Sequence, residues 1–403
     1  MRDERWHPLK IVQIITDSRG RFDSSMGPRP CFGTAAEGLL EGFDGMTGVE
    51  VHVVSCAAMM MKVPEKLADN IWFHQPLVPR LGWGRTLFSG CVRAVRRLMD
   101  VIQPDIVHGQ GTERDCAMDA VFSGCPNVLT IHGNMRVHAK RGDNGNWIYY
   151  KMAAMLETAC LARTGGVVAI SSYTKDLVKN LTPRTWLLPN AALRRYFAIE
   201  PVALAVPRIL FVGSINERKN PLGLIRACEP MLRSGACTLA MAGPLNRTEP
   251  YVKEVIKLAD SMPGIEMLGF IERDDLGVQF QNSSLLVLPT FEDNCPMVVL
   301  EAMAAGLPVA ASRVGGVPDL ITHECDGILF DPHDPENVRA SLERLIREPD
   351  LRVNLAACGR TKALERFHPR VIAGEHVNIY REMLGLSTTP TDRAIPTTLH
   401  DEP

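Results

Sequence analysis

No stretch of this sequence is apolar for long enough to cross a membrane. The longest nearly uncharged runs, residues 51–61 and PMVVL before Glu301, fall well short of the ~18–20 residues a span requires. The first ten residues, MRDERWHPLK, hold no apolar core of the kind a secretory signal carries. Positive charge is not in excess: 44 Lys and Arg stand against 46 Asp and Glu, a net charge of −2. A chain that works by neutralising nucleic-acid phosphates would be far more basic, so no nucleic-acid partner is expected. The eleven cysteines lie nine or more positions apart, with no C-x-x-C pair. That scatter reads as buried apolar thiols of a reducing compartment, not as zinc ligands or a disulfide framework. No D-x-D pair occurs either, and no metal or cofactor is expected. These absences together predict a cytoplasmic protein.

What is present is an ordinary globular composition, 46% apolar and 22% charged, in a chain of 403 residues. That length suits two or three domains. Short β-rich runs alternate with helical stretches throughout. In the first half the strand candidates are residues 10–16, 49–55, 105–108, 127–132, 166–170 and 185–189. In the second half they are 208–213, 237–243, 265–270, 284–289, 308–312 and 327–330. Near-continuous apolar strands separated by helices predict parallel sheets wound by βαβ units, hence an α/β fold. FAIEPVALAVP, residues 197–207, carries two prolines and no helical pattern, and reads as a linker. The expected organisation is a Rossmann-like domain over 1–200, a second over 201–366, a C-terminal helix over 367–386 packing back on the first domain, and a polar, proline-bearing, disordered tail over 387–403.

Ligands of doubly wound sheets bind beyond the carboxyl ends of the strands, so the loops that follow strands are where chemistry is expected. The most informative of these lies within LLVLPTFEDNCPMVVLEAMAAGLPVAAS, residues 285–312. A buried strand ends at Pro289, a polar loop follows, and Pro296 opens an apolar helix that runs to Gly306. The N–H groups of such a first turn form an anion site. Glu301 is the only charged residue between Pro296 and Gly306. A carboxylate there is costly unless paired or hydrogen-bonded. It is either a buried Glu bonded to a neighbouring strand or Arg, or a group facing a ligand about 8 Å along the helix from the anion site. In FVGSINERKNPLGLI, residues 211–225, Lys219 follows Gly213 in a turn that precedes a helix.

The segment around Glu301 resembles the E-(x)7-E motif of glycosyltransferase family 4, retaining enzymes of the GT-B architecture. In that architecture two Rossmann-like doubly wound parallel-sheet domains face each other across a cleft. Eight positions before Glu301 stands Asp293, so the first acid is Asp, with Glu292 beside it. The resemblance covers roughly residues 10–385. It implies that Asp293 binds hydroxyls of the donor sugar and Glu301 the ribose hydroxyls. It also implies that the main-chain amides of the loop and helix start, Asn294, Cys295, Pro296, Met297, Val298 and Val299, surround the diphosphate. Lys219 would neutralise that diphosphate beside Gly213. The family shows an Arg five positions before this Lys, where this chain has Ser214; Arg218 is the alternative second cation. Main-chain groups near Phe270 and Ile271 would cradle the base.

In the first half, His132 ends the strand LTIH and matches a family histidine near the reacting sugar, while His108 is read equally as a core histidine or a site residue. Gly33 opens a helix and resembles the loop that approaches diphosphate and acceptor. The stretch 84–102 reads as a basic amphipathic helix, either an ordinary surface helix or a peripheral membrane contact. The implied activity is retaining, metal-independent transfer of a sugar from a nucleotide-diphosphate donor to a saccharide or lipid-linked acceptor, in polysaccharide or glycolipid biosynthesis. A sugar-nucleotide epimerase of the same architecture and a non-catalytic sugar-nucleotide-binding subunit are the alternatives.

Overall fold

The computed structural model describes residues 7–19, 29–141 and 147–387. The tail from residue 388 onward, expected to be disordered, lies outside them, as does the start of the loop before Gly33. The chain divides into two compact units. One comprises the residues up to Asn190 together with the segment from Pro369; the other comprises Ala191–His368.

The first unit is built on an eight-stranded sheet: β1 (Leu9–Ile14), β2 (Val49–Val54), β3 (Lys66–Ala68), β4 (Ile71–His74), β5 (Ile106–Gln110), β6 (Asn127–Ile131), β7 (Val167–Ala169) and β8 (Thr185–Leu187). The order is β3-β4-β2-β1-β5-β6-β7-β8, parallel except for the β3–β4 pair. The strand order reverses between β1 and β5, which pair directly, Ile11 opposite Ile106. β1 and β2 show almost continuous burial and β5 is buried throughout, as expected of strands covered on both faces. Helix α1 (Thr34–Phe43) packs on the C-terminal helix Pro369–Leu384. At Gly42 a Cβ would sit 2.1 Å from the Pro369 carbonyl oxygen, so the two helices meet at bare backbone.

Helix α2 (Ser89–Ile102) begins later than the stretch expected from residue 84, because Leu87 and Phe88 adopt left-handed backbone (φ 52° and 61°) ahead of it. Its apolar stripe, Cys91, Val95, Met99 and Ile102, is buried, and three of these residues belong to one core cluster with β1, β5 and β6. Arg93, Arg96 and Arg97 face outward. The amphipathy that raised a membrane contact is thus accounted for by the unit's own core. Among the described residues no helix is long and apolar enough to cross a membrane.

The second unit carries a six-stranded, wholly parallel sheet: β9 (Arg208–Val212), β10 (Thr238–Ala242), β11 (Ile265–Gly269), β12 (Leu285–Leu288), β13 (Val309–Ser312) and β14 (Ile328–Phe330). Its order, β11-β10-β9-β12-β13-β14, is that of a doubly wound dinucleotide fold, with the reversal between β9 and β12. The linker expected at 197–207 is not one. The units divide at Asn190/Ala191, and Tyr196 and Phe197 are fully buried in the second unit. Phe197 packs edge-on against His368, and Arg360 donates to the carbonyls of Phe197 (2.5 Å) and Ile199 (2.8 Å). A proline-bearing stretch without regular structure is here a strap bonded to a helix rather than a free connection. The strands not read from the sequence are β3 and β4, which at three and four residues are too short for a period to show.

Candidate active site

In the second unit every strand is parallel, so the loops after β9, β10, β11 and β12 emerge on one edge of the sheet. The loops after β9 and β12 flank the strand-order reversal, where the chain leaves in opposite directions and opens a crevice. Lys219 lies on the first loop and Asp293 on the second. After β9 the chain makes a 3-10 turn at Glu217–Lys219, capped by the Asn216 side chain, which accepts from the Lys219 amide at 3.0 Å. Asn220 follows in left-handed backbone (φ 53°) and caps helix α3 (Pro221–Arg233) by accepting from the Gly223 amide. This run of caps fixes where Lys219 points.

Lys219 Nζ donates to Asp293 Oδ2 at 2.5 Å, and Arg218 Nη1 lies 3.9 Å from the same oxygen while donating to the Glu292 carbonyl at 2.9 Å. The Arg218 carbonyl accepts from the Phe291 amide and the Thr290 hydroxyl, so the two loops are also joined through backbone. Neighbouring side chains in extended chain diverge, but the 3-10 turn brings Arg218 and Lys219 to one carboxylate. The acid that faces these cations is Asp293.

The loop after β13 closes over the Asp293 backbone. Gly316 donates to the Asp293 carbonyl at 3.0 Å, and Gly315, at φ +54°, has no room for a side chain because a Cβ would lie 1.9 Å from that carbonyl. Gly243, after β10, has the same role beside Gly213: at φ +149° its Cβ would fall 2.0 Å from the Gly213 carbonyl. Helix α4 (Met297–Ala304) starts one residue later than expected, with Pro296 as its N-cap. The Val299 amide donates to the Pro296 carbonyl at 3.1 Å, which leaves the earlier amides of the first turn as the outward donors. Glu301 is the fifth residue of this eight-residue helix and is buried. Phe270 follows β11 with its ring two-thirds exposed (67%), and Ile271 beside it is half-buried.

In the first unit Gly33 is the extended N-cap of α1, exposed, with open space where a Cβ would be. His132 follows β6, and its Nε2 lies 3.0 Å from Gln110 Oε1. Gln110 Nε2 donates to Gln13 Oε1 (3.0 Å) and Gln13 Nε2 to the Tyr380 hydroxyl (2.8 Å), which lies 2.6 Å from His108 Nδ1, while His108 Nε2 lies 2.7 Å from Thr130 Oγ1. Gln110 Oε1, an amide oxygen, can only accept, so His132 carries its proton on Nε2. Burial, with His376 nearby, pulls the His132 pKa down to about 4, so its imidazole is neutral at physiological pH. His108 is fully buried with both nitrogens bonded: it is the core histidine of the two readings.

Two family descriptions match the chain: Glycosyltransferase Family 4 over residues 34–191, and Glycosyl transferases group 1 over residues 206–348. The chain belongs to the family 4 type of glycosyltransferase. Among curated relatives, the Arabidopsis thaliana "Sulfoquinovosyl transferase SQD2" is 30% identical over 360 residues, 84% of this chain and 64% of that one. An "Uncharacterized glycosyltransferase MJ1607" of Methanocaldococcus jannaschii is 31% identical over 180 residues, 44% of this chain and 46% of that one. A "D-inositol 3-phosphate glycosyltransferase" of Thermobispora bispora is 29% identical over 214 residues, 49% and 47% respectively. This chain thus spans about half the length of several of the curated relatives it matches. Among solved structures, a sucrose-phosphate synthase from Thermosynechococcus elongatus superposes with a TM-score of 0.71 at 18% identity, over 94% of this chain and all of that one. Anabaena HepE, solved with UDP and glucose, gives 0.64 at 17% identity over 92% and 99%. These likenesses show the fold: GT-B.

One feature of this glycosyltransferase was not read from its sequence. The first unit holds a cavity of about 280 Å³ lined by Thr16 and Asp17 after β1, Ser55 and Cys56 after β2, Trp83, and Arg114 and Asp115 after β5. Asp17 is locked to Arg19 by a two-pronged, buried ion pair. Apart from Trp83, which lies between two 3-10 turns, these residues are short pairs in the loops after strands, without a motif to flag them.

Proposed function

We propose that this chain transfers a sugar, with retention of anomeric configuration and without a metal ion, from a nucleotide-diphosphate sugar to an acceptor hydroxyl. The observation that carries the reading is the convergence of Lys219 and Arg218 on Asp293 at the strand-order reversal, next to the first turn of α4. In the reaction the bond from the sugar C1 to the diphosphate oxygen breaks, and a bond from C1 to the acceptor oxygen forms on the same face. The acceptor proton passes to a diphosphate oxygen. Negative charge builds on the leaving diphosphate, and Lys219, Arg218 and the amides of Cys295, Met297 and Val298 stabilise it there. Asp293 grips sugar hydroxyls through charge-assisted hydrogen bonds, Glu301 takes the ribose hydroxyls, and main-chain groups at Phe270 and Ile271 hold the base. In the first unit, the family resemblance puts neutral His132 near the reacting sugar, Gly33 leaves backbone open to the substrate, and the 280 Å³ cavity takes a small saccharide or head-group acceptor.

Two curated relatives of similar identity are named for different substrates, D-inositol 3-phosphate and a sulfoquinovosyl group, which supports the reaction class and leaves the acceptor open. The test is turnover of a panel of nucleotide sugars with and without candidate acceptors, briefly treated with chelator, with the product anomer read by NMR. Acceptor-dependent, chelator-insensitive release of nucleotide diphosphate and a retained anomer support the proposal. Acceptor-independent conversion of the donor would make the protein an epimerase, and donor binding without turnover a binding subunit.

A further inference from the structure

Four potential metal ligands meet inside the first unit, two of them, Cys56 and Asp115, also at the wall of the 280 Å³ cavity. Cys56 stands just past β2, Cys91 is on α2, and Asp115 and Asp119 lie at the start and one turn into the short helix Cys116–Val121. One ligand atom from each falls within 4.8 Å of all the others. Cys91 and Asp119 have no exposed surface and Asp115 has 5%.

Two observations show that these side chains are not occupied by ordinary packing. Asp115 is at the N-cap of its helix, yet its carboxylate makes no capping bond. Asp119 Oδ1 is buried with no hydrogen-bond partner, while Oδ2 accepts the weak Cys56 thiol at 3.7 Å and the Asp115 carboxyl lies against that of Asp119. A buried carboxylate oxygen without a hydrogen bond bears the full desolvation penalty of that group, larger when it is charged. Neither acid forms an ion pair among the described residues.

We propose that Cys56, Cys91, Asp115 and Asp119 bind one zinc ion in a closed, structural site. Two sulfurs argue against Mg²⁺ and Ca²⁺, which take oxygen, and for a borderline-soft ion. With Zn–S about 2.3 Å and Zn–O about 2.0–2.2 Å, tetrahedral ligands stand about 3.3–3.8 Å apart, so the widest pair closes by ~1 Å. Two thiolates and two carboxylates leave the bound site with the same formal charge as a four-cysteine site. Arg114, which lines the same cavity as Cys56 and Asp115, lies nearby. That cavity gives the ion a way in and the displaced thiol protons a way out. Bound there, zinc ties the end of β2 to α2 and to the helix after β5. The cysteine spacing misses this because each ligand comes from a different element or from one turn of a helix.

The proposal does not depend on the transferase reading, and its test uses no turnover. The full chain is stripped with chelator under reducing conditions and titrated with Zn²⁺ against a competing indicator, and with Co²⁺. About one Zn²⁺ per chain should bind and raise Tm, and Co²⁺ should give a thiolate charge-transfer band. Cys91→Ser and Asp119→Asn should each weaken binding at least about 100-fold, whereas Cys228→Ser, in the other unit, should not. If those variants do not fold, the cobalt band and Tm shift of the unsubstituted protein decide. Absence of both, unchanged affinity in a folded Cys91→Ser, or a Cys56–Cys91 disulfide in the isolated protein would overturn the site.

Discussion

The two units hold their key side chains by different means. In the second, Lys219 is aimed by its own turn: Asn216, Asn220 and Gly223 cap it within a few residues, and one contact across 74 positions, to Asp293, completes it. In the first, His132 is oriented by a chain of neutral hydrogen bonds. Gln110 lies 22 residues away from it, Gln13 is 97 from Gln110, and Tyr380 is 367 from Gln13. A charged group needs only a short rigid turn and an opposite charge, because its attraction is strong at any nearby geometry. A neutral imidazole that must keep one tautomer needs a directional partner, and the sheet supplies it from distant segments.

The sharpest way to break the comparison is Lys219→Ala. The loop should still form, since its caps are backbone and asparagine contacts, but turnover should fall by about 10²–10³-fold with every donor, as loss of charge stabilisation does. A variant within a few-fold of the parent in steady-state assays would move the role to Arg218. Next is the pair of adjacent acids. Asp293→Ala should cost about 10–100-fold, the worth of one charge-assisted bond, while Glu292→Ala should cost only a few-fold. The reverse ranking, measured on folded proteins, would shift the register by one residue.

In the first unit the effects are smaller and longer in range. Tyr380→Phe removes the hydroxyl shared by Gln13 and His108, which should lower stability by about 1–3 kcal/mol in a urea titration. It should also lower kcat a few-fold with little change in KM, because His132 loses orientation rather than contact. An unchanged kcat would show that the relay is only structural. The smallest effect is on pH. His132 is held neutral down to about 4, and activity that needs the neutral ring is lost only as pH falls through that value. Turnover at pH 5.5 should therefore stay within about twofold of that at pH 7 as far as this group is concerned. A limb near 6.5 that disappears in His132→Asn would show an imidazole open to water.

The alternation of buried strands and helices, and with it the α/β class, was legible in the sequence: all twelve strands read from it are present, since burial on both faces demands an unbroken apolar run. The residues around Lys219 and Asp293 were legible too, because proline, glycine and asparagine mark turns through their own backbone limits. Strand order and its consequences were not. Nothing in the runs themselves says that β9 lies beside β12, yet that adjacency puts the two loops in contact. A 3-10 turn decided that Arg218 joins Lys219, and packing against Arg360 and His368 made the strap at 191–207 part of the second unit. The hydrogen-bonded chain behind His132 and the four ligands at Cys56, Cys91, Asp115 and Asp119 are tertiary in the same sense. Period and turn chemistry act between neighbours in sequence, whereas these pairings are set by which elements the whole core brings side by side.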